Sequence, residues 1–320
     1  MAQLVKLSNY ISRYEMDLHH YSRRYPRLKK ERWQRMREYW ETEQKRPLLS
    51  DYEEIVTSSY GVEGTSWKRF FRRFPLLHKW SGQSEAEDVE QAGRLNRPVS
   101  TIEALGRTFK EELYRFQLSW ASSTISETSQ ISKEFLKDTL LARLVKDLPD
   151  TYLILYCPVV RIRNAEVEIG IIVVTPVEIW LLQALEGDEH TIYTPLDERY
   201  WSRRGRGRED KMVHPGIALR RMVSVIREIL QEQDHPAVLK TAVLARNSFI
   251  DVTGKGQRML TIDKRSYGTW FEQMKKNHSP IKPAQLQTVR LLLKYCETYA
   301  AARSVLSEER AENQERGFSV

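Results

Sequence analysis

Residues 152–185, YLILYCPVVRIRNAEVEIGIIVVTPVEIWLLQAL, constrain the fold more than any other part of this chain. This is its longest apolar, β-branched passage, and it reads as three strands at 153–160, 166–174 and 177–185. The connections between them are far too short for a parallel crossover, which needs about a dozen residues or more. The three strands are therefore expected to pair antiparallel as a meander, with Thr175-Pro176 as the second turn.

Helical patterns flank the meander. Upstream, a helix from Ile131 carries Leu136, Leu140, Leu144 and Leu148 and is stopped by Pro149. Downstream, residues 186–213 read as a long polar loop containing RRGRGRED. His214-Pro215 then opens a helix with Leu219, Met222, Ile226 and Leu230 on one face. A strand at 238–244 follows a helix and can lie parallel to an earlier strand. A short edge strand at 258–262, a short helix at 267–275 and a last helix from Pro283 complete this part. The last helix is expected to turn Leu286, Val289, Leu293, Cys296 and Ala300 inward.

The first ~130 residues read as helical and irregular. Ser8 is expected to cap a helix bearing Ile11, Tyr14 and Leu18. A second helix after Pro26 presents Leu28, Trp33, Met36 and Trp40 on one face and Lys29, Lys30, Arg32, Arg35 and Arg37 on the other. Residues 67–80, WKRFFRRFPLLHKW, interleave aromatics with cations, and 81–98 read as a linker. Ser100 and Glu103 form a capping-box pattern ahead of Ile102, Leu105, Phe109, Leu113 and Phe116. The expected organisation is α+β: a basic helical region at 1–130, an α/β core at 131–278, and a C-terminal helix with a charged tail at 279–320.

Several classes drop out on sequence grounds. No run approaches the roughly 18 apolar residues of a membrane span, and the N-terminus lacks a signal-peptide pattern, so a cytoplasmic, membrane-free protein is expected. Cys157 and Cys296 read as reduced, buried thiols, and His and Cys nowhere cluster at zinc-ligand spacing. GxGxxG and the P-loop are absent, and no cofactor is expected. The charge is +8, from 51 Lys and Arg against 43 Asp and Glu, which permits phosphate-backbone binding without establishing it.

From Leu148 to about Met274 the chain resembles the nuclease-related (NERD) domain of the restriction-endonuclease-like superfamily. The matching residues are LPDTY, EVEIGIIVVTP, VEIWLLQALEG, HPGIALRRM, and AVLARNSF followed by MLTID. The resemblance implies an α/β sandwich core of helix, three-strand meander, helix and strand. It also implies an Asp entering the second strand and Glu-x-Lys ending the third, where two carboxylates hold a divalent cation that activates water. Carried over position by position, the Asp falls on Gly170, the Glu on Gln183 and the Lys on Leu185. A helical Gln falls on Ala218, and an upstream acid on Glu134 or Asp138. Glu168, with Glu166 beside it, is the one candidate for a relocated metal-binding acid.

The acids and histidine of the loop after the third strand, Asp188, Glu189, His190, Asp197 and Glu198, are weaker catalytic candidates. Arg203, Arg204, Arg206 and Arg208 read as a flexible cationic loop that would neutralise phosphates, with Tyr200 and Trp201 alongside. Lys29 and Arg32 are candidates for a second phosphate contact. The leading expectation is a non-catalytic, nuclease-related protein that binds DNA or RNA. The alternatives are a nuclease using Mg²⁺ or Mn²⁺ through Glu168 and Gln183, and a scaffold whose helical N-terminal region docks a protein partner.

Overall fold

The computed structural model describes residues 1–59, 100–163, 165–252, 259–277 and 279–302, without the side chains of 43, 45–59 and 302. The aromatic-basic segment at 67–80, the linker at 81–98 and the charged tail after 302 lie outside the described residues. The chain forms two compact units, Pro26–Leu113 and the remainder.

The larger unit is a mixed α+β structure built on a six-stranded sheet. The strands stand in the order β1 (Gln3–Leu7), β3 (Leu153–Tyr156), β6 (Ile171–Val174), β7 (Ile179–Ala184), β11 (Leu239–Ala245) and β13 (Leu260–Asp263). As expected, β3, β6 and β7 pair antiparallel, and β11 lies parallel to β7. Strand β13 is parallel to β11 and forms one edge. The β-branched runs suit strands buried on both faces.

On one face pack α5 (Thr139–Asp147), α7 (Tyr267–Lys276) and the end of α3 (Ile102–Trp120). Leu141, Leu144, Tyr114, Leu118, Trp270 and Phe271 meet Ile154, Val173, Leu182 and Leu244 there. Helix α6 (Pro215–Gln231) covers β7 and β11, and α8 (Pro283–Tyr295) lies against β6 and α6. Helix α6 buries Leu219, Met222, Ile226 and Leu230, the predicted stripe. Helix α8 buries Leu286 and Val289 but ends before Cys296, its C-cap, and Ala300 is exposed.

The N-terminus departs from expectation. Residues 3–7, ahead of the Ser8 expected to cap the first helix, form the buried strand β1, parallel to β3. Ser12 instead caps the short α1 (Arg13–Met16), accepting from the Tyr14 N–H. Helix α2 (Leu18–Ser59) begins before Pro26 and runs through it. Proline has no N–H for the carbonyl four residues back. That carbonyl, Ser22 O, accepts from Gln3 Nε2 at 3.2 Å instead. The predicted 131–148 helix is two pieces, α4 (Lys133–Lys137) and α5. Asp138 breaks them apart, its Oδ1 capping the Leu140 and Leu141 N–H groups at 2.8 and 3.0 Å. Helix α3 is capped by Thr101, whose Oγ1 accepts from the Ala104 N–H, rather than by Ser100.

The polar stretch 186–213 is not a loop. It holds β8 (Ile192–Pro195), β9 (Tyr200–Gly205) and β10 (Arg208–Val213), which with β12 (Phe249–Ile250) make a four-stranded sheet ordered β10-β9-β8-β12. Strands β9 and β10 form a hairpin across Arg206-Gly207, both at positive φ (48° and 78°). Two successive left-handed residues match the right-handed twist of a hairpin, and glycine takes the second without strain. Two further pairs, β4 (Val159–Ile162) with β5 (Ala165–Glu168) and β2 (Glu127–Thr128) with β14 (Ala301–Ala302), lie outside the main sheet. In the smaller unit, Trp33 of α2 packs on Phe109 of α3 with ring centroids 5.1 Å apart.

Candidate functional site

Five of the six central strands run the same way, and β6 opposes them. The carboxyl ends of β3, β7 and β11 therefore share one edge with the start of β6. Open sheets of this kind present their chemistry at that edge. Gly170 immediately precedes β6, and Gln183 lies one pair beyond the Ile171–Leu182 match, so the two are neighbours. Leu185 follows β7, donating its N–H to Leu244 O at 2.8 Å.

The space at Gly170 decides what this edge can hold. A Cβ there would stand 2.7 Å from the Leu182 carbonyl oxygen and 3.4 Å from the Met222 sulfur and methyl. The first contact is with backbone and cannot yield without moving β7. A carboxylate at this position is thus excluded sterically, and Met222 of α6 occupies the neighbouring volume. Gln183 offers a neutral amide, its Nε2 donating to Ala184 O at 3.3 Å. These positions do not fit a divalent cation.

Glu168 is exposed at the end of β5, paired with Val159 on β4. Glu166 is engaged elsewhere, accepting from Arg161 at 2.9 Å and from the Tyr299 hydroxyl at 3.1 Å. Asp138 is used as a helix cap and also accepts from the Tyr156 hydroxyl. Glu134 is exposed in the first turn of α4. Among the described residues no three acids, histidines or cysteines are placed to hold a metal ion.

Burial pushes the Cys157 thiol up to about 12, with Glu168, Asp138 and Glu186 adding negative charge around it. Burial also holds the Cys296 thiol up at about 12. Both cysteines are free. Thiolate is the reactive form, so neither should react with an alkylating reagent at pH 8 in the folded protein, while both should react once it is unfolded. In the unfolded chain these thiols ionise near 9, before they do in the folded one. The folded state binds more protons in that interval, so stability should fall as pH rises from 9 toward 12. Both thiols are half-buried rather than fully buried, and rapid native labelling at pH 8, read by mass spectrometry, would contradict their raised pKa values.

The acids after β7 build turns. Asp188 accepts from Thr191 Oγ1 at 2.8 Å, which with the His190 N–H and Arg206 holds its carboxyl below the usual range. Asp197 is likewise lowered, first by the Arg199 N–H and also by the Tyr200 N–H, each at 2.7 Å. Glu189 pairs with Lys264 at 3.5 Å, and His190 with Glu189 at 3.7 Å. Tyr193 of β8 donates to Glu186 O at 2.5 Å, tying the second sheet to the end of β7.

The arginine segment is ordered and divided. Arg204 pairs with Glu209 at 3.5 Å, and Arg206 with Asp188 at 2.7 Å. Arg203 and Arg208 are exposed and have no ion-pair partner among the described residues. Lys211 lies 3.8 Å above the Tyr200 ring, and Trp201 is fully buried with its ring 5.2 Å from His214.

Strand β10 leads directly into α6, whose first turn is fixed by His214. Its Nδ1 accepts from the Gly216 N–H at 2.9 Å. Glycine at 216 leaves room for this cap, because a Cβ would stand 2.7 Å from the His214 ring and displace it. Burial, then Arg220, pushes the His214 pKa down, favouring the neutral ring that the cap requires. From His214 a groove of about 860 Å³ runs beside α6, lined by Arg220, Ser224, Arg227, Gln231, Thr241 and Met259 among others. Sequence reasoning missed Arg220 and Arg227. The signal is the polar side of the helix opened by HPGIALRRM, opposite its apolar stripe.

Lys29 and Arg32 belong to the smaller unit. Arg32 is half-buried and 3.9 Å from Glu112, and burial lowers its pKa. It is a packed side chain rather than part of an open basic face. Lys29 is half-buried as well, while Lys30, Arg35 and Arg37 are exposed.

No protein-family model matches the chain, and no solved structure matches it. An RNA 2',3'-cyclic phosphodiesterase of Geobacillus stearothermophilus is 32% identical over 120 residues. That match covers 37% of this chain and 36% of the phosphodiesterase, so the chain spans about a third of its relative. Among the described residues no helix is long and apolar enough to cross a membrane.

Proposed function

We propose that this chain binds nucleic acid, single-stranded RNA being the first class to test, on a nuclease-like core that has lost its metal site. The observation that carries the reading is the set of exposed arginines without ion-pair partners among the described residues, Arg203 and Arg208 on the hairpin and Arg220 and Arg227 along the α6 groove. Four such cations on adjoining elements are suited to a phosphate backbone. The partial likeness to an RNA phosphodiesterase supports the same class of partner. The order α5, β3, β6, β7, α6, β11 agrees with the helix, three-strand meander, helix and strand that the nuclease resemblance implies, and supports the reading to that extent. The closed space at Gly170 supports the loss of catalysis within it.

The test is the salt dependence of RNA binding. Each phosphate neutralised on a single strand contributes about 0.7 to the slope of log affinity against log salt. Replacing Arg203, Arg208, Arg220 and Arg227 by alanine should lower the slope by about 3. Replacing Arg204 and Arg206, already paired with acids, should change it by less than about 1. Equal effects of the two variants, or binding insensitive to both, would reject the surface. Mn²⁺-dependent cleavage abolished by Glu168→Ala would replace the reading with a relocated nuclease site.

A further inference from the structure

The opposite, amino-terminal edge of the central sheet carries a second cavity, of about 430 Å³, between the starts of β7 and β13 and helix α7. Its walls include Tyr152, Trp180, Trp270 and Met274, with Thr261, Thr269, Gln273 and Asn277 among the polar groups. The chain carries +8 overall, yet this lining contains no lysine, arginine or histidine. Its one acidic group is Glu178.

Glu178 is held in place from three sides. Its backbone closes the Thr175-Pro176 turn, with the Thr175 N–H donating to Glu178 O at 2.9 Å and Thr175 Oγ1 accepting from the Glu178 N–H at 3.1 Å. Its Oε1 accepts from the Trp180 indole Nε1 at 2.7 Å. Its other carboxylate oxygen has no partner among the described residues. The neighbouring phenol of Tyr152 is committed to Met274 O at 2.8 Å and cannot serve it. Trp180 and Trp270 pack edge to face, their centroids 5.8 Å apart. Glu178 is half-buried, and a carboxylate fixed in this way beside indole rings is suited to an organic cation.

We infer that this cavity, framed by Glu178, Trp180 and Trp270, binds a small organic cation bearing an ammonium or guanidinium group. The volume falls in the range of small-molecule sites, about 300–1,000 Å³. A bare divalent ion would find one carboxylate where it needs several oxygen ligands. A cationic amine gains both the ion pair and contact with the aromatic walls. The cations near this edge are otherwise placed. Lys240 is paired with Trp180 in the strand register but is exposed and makes no ion pair with Glu178. Lys275 of α7 is paired with Glu272 at 2.8 Å. This site is independent of the proposed RNA surface.

The probe is agmatine, titrated into the ¹⁵N-labelled full chain and followed through the indole N–H resonances. Saturable shifts of the Trp180 resonance are expected, with a Kd on the order of 1 mM. An uncharged urea analogue of agmatine should produce none. Glu178→Gln keeps an acceptor for the Trp180 indole and should fold, yet lose at least tenfold in affinity. Lys240→Met should bind as tightly as the parent or tighter. No saturable shift, equal shifts with the neutral analogue, undiminished binding by Glu178→Gln, or loss of binding in Lys240→Met would each overturn the assignment.

Discussion

Gly170→Ala should destabilise the protein by about 2–3 kcal/mol, and Gly170→Asp by more. The cause is space rather than backbone conformation, since Gly170 is not among the positive-φ residues. A Cβ would meet the Leu182 carbonyl at 2.7 Å, and that oxygen belongs to the central strand β7. Relief requires β6 and β7 to part, which weakens their ladder. Met222 is the softer obstacle, a flexible thioether 3.4 Å away. Met222→Ala should therefore fail to rescue Gly170→Asp and should add its own cavity cost of about 2–5 kcal/mol. Urea unfolding of the single and double variants measures both. The same experiment bears on function. Restoring the missing acid at the position the nuclease resemblance assigns should not create Mn²⁺-dependent cleavage. A Gly170→Asp protein with the parent's unfolding midpoint would show that the site is open after all, and the non-catalytic reading would go with it.

The central strands and their covering helices were legible because their side chains obey a period. Residues 152–185 are β-branched and apolar in short blocks, and the α6, α7 and α8 stripes repeat at helical spacing. What was missed breaks those rules for stated reasons. Strand β1 contains Lys6, fully buried, and a β-bulge between Leu4 and Lys6, so its polarity pattern does not alternate. The β9–β10 hairpin is built from charged residues and gives no hydrophobic signal. Its local mark is glycine at the second turn position, Arg206-Gly207, which suits a flexible loop equally well. Asp138 looked like one more acid on a helix, but as a cap it divides two helices. For the candidate site, the nuclease resemblance pointed to Gly170, Gln183 and Leu185. It could not show that Met222 and a backbone carbonyl fill the space beside the first. Nor could it divide the hairpin arginines into those held by Glu209 and Asp188 and those left open, because that depends on cross-strand register.

Lys6→Ala should cost about 3–5 kcal/mol, the range for breaking a buried ion pair from one side. Lys6 is fully buried in β1, and its Nζ donates to Glu15 and, at 2.7 Å, to Thr298 Oγ1. Removing the ammonium leaves Glu15 facing Thr298 Oγ1 at 3.1–3.2 Å without a counter-charge. It also opens a void where the lysine stem packed. Lys6→Met refills most of that volume and should cost less than the alanine change. Adding Glu15→Leu to Lys6→Met removes the stranded charge and should recover most of the loss, since paired apolar replacements of buried ion pairs are often near neutral. A double-mutant cycle from urea midpoints tests this directly. The structural consequence lies in β3, which β1 pairs in parallel from Gln3–Leu153 to Leu7–Tyr156. Hydrogen exchange in Lys6→Ala should rise in β1 and at the Tyr156 end of β3, and less in β11 and β13 across the sheet. Uniform acceleration across the sheet would mean that β1 is integral to its cooperative unit rather than an added edge. The Lys6–Glu15 pair would then secure the whole core from which the candidate RNA surface projects.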